Sequence, residues 1–321
     1  MEELLEKAYA LLKSCKLCPR ACAVDRLDGP NEPGRRGYCG QTAQLKVAYV
    51  GPHMGEEPPI SGTNGSGTVF LTGCGLRCSY CQNYQISHEG IGVELSVQAL
   101  SERVDRLIRS HRVHNINFVT PDHFFPHVLH VIWLIREAQN TLPIVMNCSG
   151  YQSIETLRLG KDFFDIYLPD FKYADAGLAT RLSGCPDYAE VALTALEEML
   201  RQKGFLRVSG PNPPLGTMGV LVRHLILPGY TENSCEALTM LFVEFGPRLP
   251  VSLMSQYYPV RPQRDPLLNR TVTKEEFDRV LRHARDLGFE SLYVQFPEQL
   301  ERSSKGRPRF VPDFTSPSPF D

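Results

Sequence analysis

Short β-rich runs alternate with longer stretches of helical period along this 321-residue chain, and that alternation limits the fold more than any other feature. The runs are TVFLT (68 to 72), NINFVT (115 to 120), PIVMN (143 to 147), FDIYLP (164 to 169), GVLVRHLIL (219 to 227) and VSLMSQ (251 to 256). Between them, Val97, Leu100, Val104, Leu107 and Ile108, the stretch from His127 to Ala138, and Val191, Leu193, Leu196, Met199 and Leu200 fall at helical spacing. Parallel strands need long crossovers, so repeated strand-helix units of the α/β class predict a parallel sheet, closed as a barrel or left open. Further on, TKEEFDRVLRHARDLG reads as a helix with Thr273 as N-cap, and ESLYVQF as an extra strand.

Charge excludes some functions. Lysine plus arginine number 34 against 36 acidic residues, so there is no basic excess for nucleic acid or an anionic membrane. MEELLEKAYALLKSC has the spacing of an amphipathic helix and lacks the basic head and apolar run of a signal peptide. A cytoplasmic protein is expected. Its ten cysteines then read as metal ligands or catalytic thiols, not as a disulfide framework. Three regions follow: residues 1–45, a leading helix and a cysteine-rich metal-binding segment; 46–300, the repeated strand-helix units; and 301–321, a Pro- and Ser-rich tail expected to be extended.

Two cysteine groups carry the chemistry. GCGLRCSYCQN places Cys74, Cys78 and Cys81 in one loop, C-x3-C-x2-C, with no fourth cysteine nearby. Structural zinc wants four ligands, whereas a four-iron cluster held by three thiolates leaves one iron free for a substrate or cofactor. Cys15, Cys18, Cys22 and Cys39 form a complete set of four, which fits either a zinc ion or a second [4Fe-4S] cluster. In parallel α/β folds ligands gather beyond the C-terminal ends of the strands. There the chain places Thr120, Asp122 and His123; Asn147, Cys148 and Ser149; Asp170 and Lys172; and, near the later strands, Arg223, Gln256 and Tyr257.

The C-x3-C-x2-C loop directly after a β-run, with an aromatic before its last cysteine, resembles the radical S-adenosylmethionine superfamily. The resemblance implies a partial (β/α)6 barrel with Cys74, Cys78 and Cys81 as ligands of a [4Fe-4S] cluster and Tyr80 beside the adenine. It also implies an oxidoreductase that reductively cleaves S-adenosyl-L-methionine to a 5'-deoxyadenosyl radical for hydrogen abstraction. TVFLTGCGLRCSYCQN, PDFK and VRHLILPGY are most similar to the pyruvate formate-lyase activating enzyme group. CPRAC, SGYQSIETL, DIYLPDFKY, LNRTVTKEEF and LYVQ resemble an iron-sulfur branch related to it.

By that resemblance Thr120, Pro121 and Asp122 stand where the activases carry Gly-Gly-Glu, with Asp122 as the acidic acceptor. Asn147, Cys148, Ser149 and Gly150 replace Asp-Thr-Asn-Gly, so Asn147 and Ser149 offer oxygens to the methionine moiety or a cation. Asp170, Lys172, Arg223 and Tyr257 complete the expected cofactor contacts. From the residues alone, Asp170 and Lys172 also read as a strand-end ion pair, and Arg223 as a brace of the barrel interior. Cys148, Cys185 and Cys235 read as packing residues, and His123 as a polar substrate contact. A reductant such as flavodoxin or ferredoxin is implied, with either a protein glycyl site or a small molecule as substrate. The alternative is a metal-bearing interaction or electron-transfer protein that keeps the fold without the radical chemistry.

Overall fold

The computed structural model describes residues 1–27, 36–297 and 308–320. Its strands are β1 (Lys46–His53), β2 (Ser66–Leu71), β3 (Val93–Glu94), β4 (Ile116–Val119), β5 (Ile144–Cys148), β6 (Ile166–Pro169), β7 (Arg207–Ser209), β8 (Leu215–Val220), β9 (Val222–Leu225), β10 (Val251–Met254) and β11 (Leu292–Gln295). The helices are α1 (Glu2–Ala10), α2 (Pro58–Ser61), α3 (Tyr84–Ser87), α4 (Val97–His111), α5 (Phe125–Glu137), α6 (Ile154–Leu159), α7 (Ala176–Ser183), α8 (Tyr188–Lys203), α9 (Thr231–Phe245) and α10 (Lys274–Leu287).

The expected strands are present. β2, β4, β5 and β6 pair in parallel in that order, and β9, β10 and β11 form a second parallel set. The single run expected over 219 to 227 is divided at Leu221. Val220 of β8 pairs with Tyr167, whereas Arg223 of β9 bridges to Asp170, so one continuous sequence serves both sheets and joins them. The result is a partial (β/α)6 barrel, with β11 as an additional parallel strand. β1 runs antiparallel along the outer edge of β2, and among the described residues no pairing links β1 or β2 to β11. One side of the barrel is therefore open in its backbone hydrogen bonding.

Local chemistry explains the crossovers. Ser96 caps α4 by accepting from Ala99 N at 3.1 Å, and α4 buries Val97, Leu100, Val104 and Leu107 on one face. Thr273 caps α10 as expected, within a reciprocal capping box with Glu276. On β9 the period of two separates Val222 and His224, turned to the surrounding core, from Arg223 and Leu225, which line the interior.

The N-terminal residues share this core: Leu5, Ala8, Leu12, Cys15 and Leu17 pack in the same cluster as Phe118, Val128 and Met146. The C-terminal residues correct an expectation. Residues 308–320 form turns folded back onto the barrel, because Phe314 and Phe320 pack on Phe70 and its neighbours. The remainder of the expected tail, and residues 28–35 of the cysteine-rich segment, lie outside the described residues. No described helix is long and apolar enough to cross a membrane.

Two buried positions make this packing testable. A Cβ built on Gly150, where φ is +79°, would stand 2.1 Å from the Asp170 carbonyl oxygen. Gly150→Ala should therefore cost about 2 to 4 kcal/mol in urea unfolding, since both the backbone conformation and a backbone contact are lost. His224 is buried with Nδ1 2.6 Å from Phe171 O, and burial pushes its pKa from 6.5 down to about 4. The unfolded ring takes up its proton first as pH falls, so stability held above pH 6.5 is lost towards pH 4. That loss should reach about 2 kcal/mol by roughly pH 5, and unfolding midpoints across this window should vary less in His224→Asn.

Candidate active site at the barrel mouth

The loop after β2 carries Cys74, Cys78 and Cys81 to the C-terminal end of the parallel strands. Its tight path needs positive φ at Gly73 (+93°) and Arg77 (+51°); a Cβ on Gly73 would stand 2.9 Å from Cys39 O. All three thiols line one cavity of about 450 Å³ that runs down into the barrel. Leu76 N donates to Cys74 Sγ at 3.4 Å and Ser87 Oγ to Cys81 Sγ at 3.2 Å. Burial, followed by the mutual repulsion of the neighbouring sulfurs, raises the Cys74 and Cys81 pKa values. Without a cation these thiols hold their protons; iron supplies the positive charge that three crowded thiolates lack. The donor set thus fits a cluster.

Most of the expected cofactor residues meet the same cavity. Tyr80, Thr120, Asn147 and Ser149 line it, as do Asp170, Lys172, Arg223 and Tyr257. Tyr80 is buried, its hydroxyl accepting from Tyr173 at 3.0 Å, with the Tyr257 ring centroid 6.1 Å away. Tyr257 contributes a wall and no free hydroxyl, since its OH donates to Leu268 O at 2.6 Å. Thr120 adopts φ +55°, an outlier for a β-branched residue, and its N–H donates to Asn147 O at 2.8 Å.

Asp170 and Lys172 do more than close a strand. Lys172 Nζ lies 2.6 Å from Asp170 Oδ2, and Arg223 Nε lies 3.1 Å from Asp170 Oδ1. Burial would raise the Asp170 pKa, but the two adjacent cations hold it below its ordinary value. Arg223 also donates to Asn147 Oδ1 at 2.7 Å and to Glu56 Oε2 at 3.0 Å. It is the interior brace of the barrel, with protein carboxylates already on its guanidinium.

Two candidates lie elsewhere. Asp122 is buried in the short 3-10 turn Asp122–Phe124, outside the cavity lining, and burial pushes its carboxyl up to about 7. His123 is buried below the cysteine loop, its Nε2 2.7 Å from Thr72 O, so it buttresses that loop and does not face the cavity. The expectation for His123 rests on position just after a strand and that for Asp122 also on the Gly-Gly-Glu resemblance; the 3-10 turn keeps both side chains out of the cavity lining. Conversely, Glu56, Glu57 and His53 line the cavity although no strand-end pattern marks them. Their only sequence signal is two adjacent carboxylates between Gly55 and a proline pair.

The N-terminal cysteines abut the loop from outside. A Cβ on Gly75 would stand 3.2 Å from Cys18 Sγ, and one on Gly37 would stand 3.4 Å from Cys39 Sγ and 3.8 Å from Cys22 Sγ. Arg20, within CPRAC, donates to the carbonyls of Gly75 and Leu76 at 2.9 and 3.3 Å and to those of Ser183 and Gly184 at 2.5 Å each. Arg26 Nη1 points at Cys15 Sγ from 3.6 Å. Among the described residues no three His, Cys, Asp or Glu side chains converge to hold a single metal ion. A closed zinc tetrahedron, with sulfurs about 3.8 Å apart, is therefore not preformed.

The chain is 25% identical to an uncharacterized protein of Methanocaldococcus jannaschii over 298 residues, 90% of this chain and 79% of that one. Among solved structures it is similar to methylornithine synthase (PylB), with a TM-score of 0.47 and 14% identity over 73% of each chain. It is also similar to Streptococcus suis SuiB bound to S-adenosylmethionine, with a TM-score of 0.44 and 12% identity; the match spans 74% of this chain and 51% of SuiB. Residues 68–241, the region from β2 into α9 that contains all three loop cysteines and Arg223, match the model of the Radical SAM superfamily. The chain belongs to the Radical SAM superfamily.

Proposed function

We propose that the protein is an enzyme that cleaves S-adenosylmethionine reductively and abstracts hydrogen from a substrate held in the barrel. Membership of the superfamily implies an enzyme that uses a [4Fe-4S] cluster and S-adenosylmethionine. One observation carries the reading for this chain: Cys74, Cys78 and Cys81 share a single cavity with Tyr80, Asp170 and Lys172 at the C-terminal end of the parallel strands. Cys74, Cys78 and Cys81 would hold the cluster, which when bound would supply the one-electron reduction that cleaves S-adenosylmethionine.

The chain's own groups would then bind and orient. Tyr80, held by its hydrogen bond with Tyr173, is set to pack beside the adenine. Lys172, on Asp170, is a fixed positive charge for a carboxylate, and Asn147 and Ser149 offer polar groups beside it. The buried walls keep water from the reacting atoms.

Cys15, Cys18, Cys22 and Cys39 would hold a second iron-sulfur centre, a reading supported by Cys18 lying against Gly75 of the cluster loop. An electron donor such as flavodoxin or ferredoxin would deliver the electron there. The activating-enzyme resemblance concerns the motifs; an activase would have to admit a protein loop to the mouth.

Anaerobic reconstitution with iron and sulfide, reduction, and addition of S-adenosylmethionine should yield 5'-deoxyadenosine. Cys74→Ala should lower this to background and remove about four irons per chain while the second centre retains about four. Iron and sulfide analysis of Cys18→Ala should show the converse loss. Wild-type protein with a full complement of iron and no 5'-deoxyadenosine would refute the reading.

A further inference from the structure

The cavity has a second end, far from the cysteine loop. β1 runs antiparallel to β2 and finishes with His53 opposite Ser66, so residues 53–57 sit at the N-terminal end of the parallel strands and form the barrel floor. Glu56 reaches up from that floor to Asn117, Asn147 and Arg223, with each contact between 3.0 and 3.2 Å. Glu57 also lines the cavity, is only 8% exposed, and has no hydrogen-bond partner for Oε2.

Among the described residues, the charges on the cavity wall do not balance. Glu56, Glu57 and Asp170 are set against Arg223 and Lys172, three carboxyls to two cations. His53 does not make up the difference, because burial pushes its pKa down to about 4 and leaves it neutral. Burial also raises the Glu57 pKa against the pull of Arg223. No described group donates a hydrogen bond to Glu57 Oε2, so that carboxyl oxygen is left unsatisfied on the cavity wall.

The open side of the barrel is walled by residues 308–320. The Phe320 ring, tilted by 42° to both, has its centroid 4.2 Å from that of His53 and 5.5 Å from that of Phe70, and Phe314 lies 5.3 Å from Phe70. Phe314 is buried, and the apolar surface it removes from water helps to hold the segment. Polar contacts tie the same segment to the cluster loop. Gln85 accepts from Phe314 N at 2.8 Å and donates to Asp313 Oδ1 at 3.2 Å, while Gln82, next to Cys81, donates to Phe310 O. Phe310 and Phe320 face the cavity, as do Val294 and Gln295 of β11 across the unpaired gap.

The geometry points to a small molecule bearing a cationic group as the substrate, seated with its cation at Glu57 and walled in by Phe320, and not to a loop of a folded protein. This rests on the radical-enzyme reading for the chemistry done there, while the binding compartment itself is a property of the chain alone. A protein loop would first have to displace Phe310, Phe314 and Phe320.

Two measurements on metal-free protein test the compartment without the cluster. By calorimetry, 1,5-diaminopentane should bind wild type and Cys74→Ala alike, at least tenfold more weakly to Glu57→Gln, while pentanol should bind neither; no amine binding, or equal binding to Glu57→Gln, overturns the assignment. Fluorescence of anilinonaphthalene sulfonate should rise severalfold in Phe320→Ala, with Phe314→Ala as a second variant, both checked for cooperative unfolding. Unchanged fluorescence in both means that the segment is no wall. With loaded enzyme, 5'-deoxyadenosine formation should be stimulated by the cation-exchange-retained small molecules of a cell extract. Stimulation by the macromolecular fraction instead makes the substrate a protein and overturns the proposal. Absence of 5'-deoxyadenosine in every sample would defeat the radical reading while leaving the binding results to stand or fall separately.

Discussion

Arg223 is the charge around which the barrel interior is assembled. Its side chain is only 14% exposed, and a guanidinium so far removed from water is tolerable only when its donors are met. Here each side of the fork has a partner from a different part of the chain: Glu56 from the floor, Asn147 from β5, and Asp170 from the end of β6. Those contacts reinforce the one place where the two parallel sheets meet, the bridge between Asp170 and Arg223. Removing one member of such a group leaves the others uncompensated, typically at about 3 to 5 kcal/mol. The network therefore sets both the closure of the barrel and the position of Asp170, which in turn holds Lys172 at the mouth.

Above that network, the loop of Cys74, Cys78 and Cys81 is supported on several sides. His123 props Thr72 from below, Arg20 collects the carbonyls of Gly75 and Leu76, and Gln82 and Gln85 join it to the C-terminal segment. A loop with positive φ at Gly73 and Arg77 has little intrinsic preference for its path, so these outside contacts determine where the three thiols stand. The N-terminal segment does this through backbone recognition by one arginine as well as through its cysteines.

Much of the site is legible in the sequence. The parallel strands show as short β-rich runs, and the cysteine spacing identifies the loop regardless of what packs on it. Residues at strand ends are harder to assign. Thr120, Asn147 and Asp170 reach the cavity, whereas Asp122 and His123, only two and three positions beyond Thr120, turn away because the chain enters a 3-10 turn there. Glu56 and Glu57 carry no comparable signal, because they follow an antiparallel strand and approach the cavity from the end opposite the C-terminal ends of the parallel strands. The proline- and serine-rich composition near the C-terminus likewise conceals Phe314 and Phe320, two aromatic anchors that outweigh it.

The sequence by itself determined the class of the fold, the loop that gathers the three cysteines and the family, because strand periodicity and thiol spacing are local properties that survive without neighbours. Tertiary structure alone decided which charges meet. Residues 56, 147, 170 and 223 are far apart along the chain and converge only when β1 returns beneath the barrel and the run around Leu221 divides between two sheets. Coulomb energy and desolvation depend on distance and burial in space, so the balance of charge in the cavity, and the aromatic wall across its open side, exist only in the folded molecule.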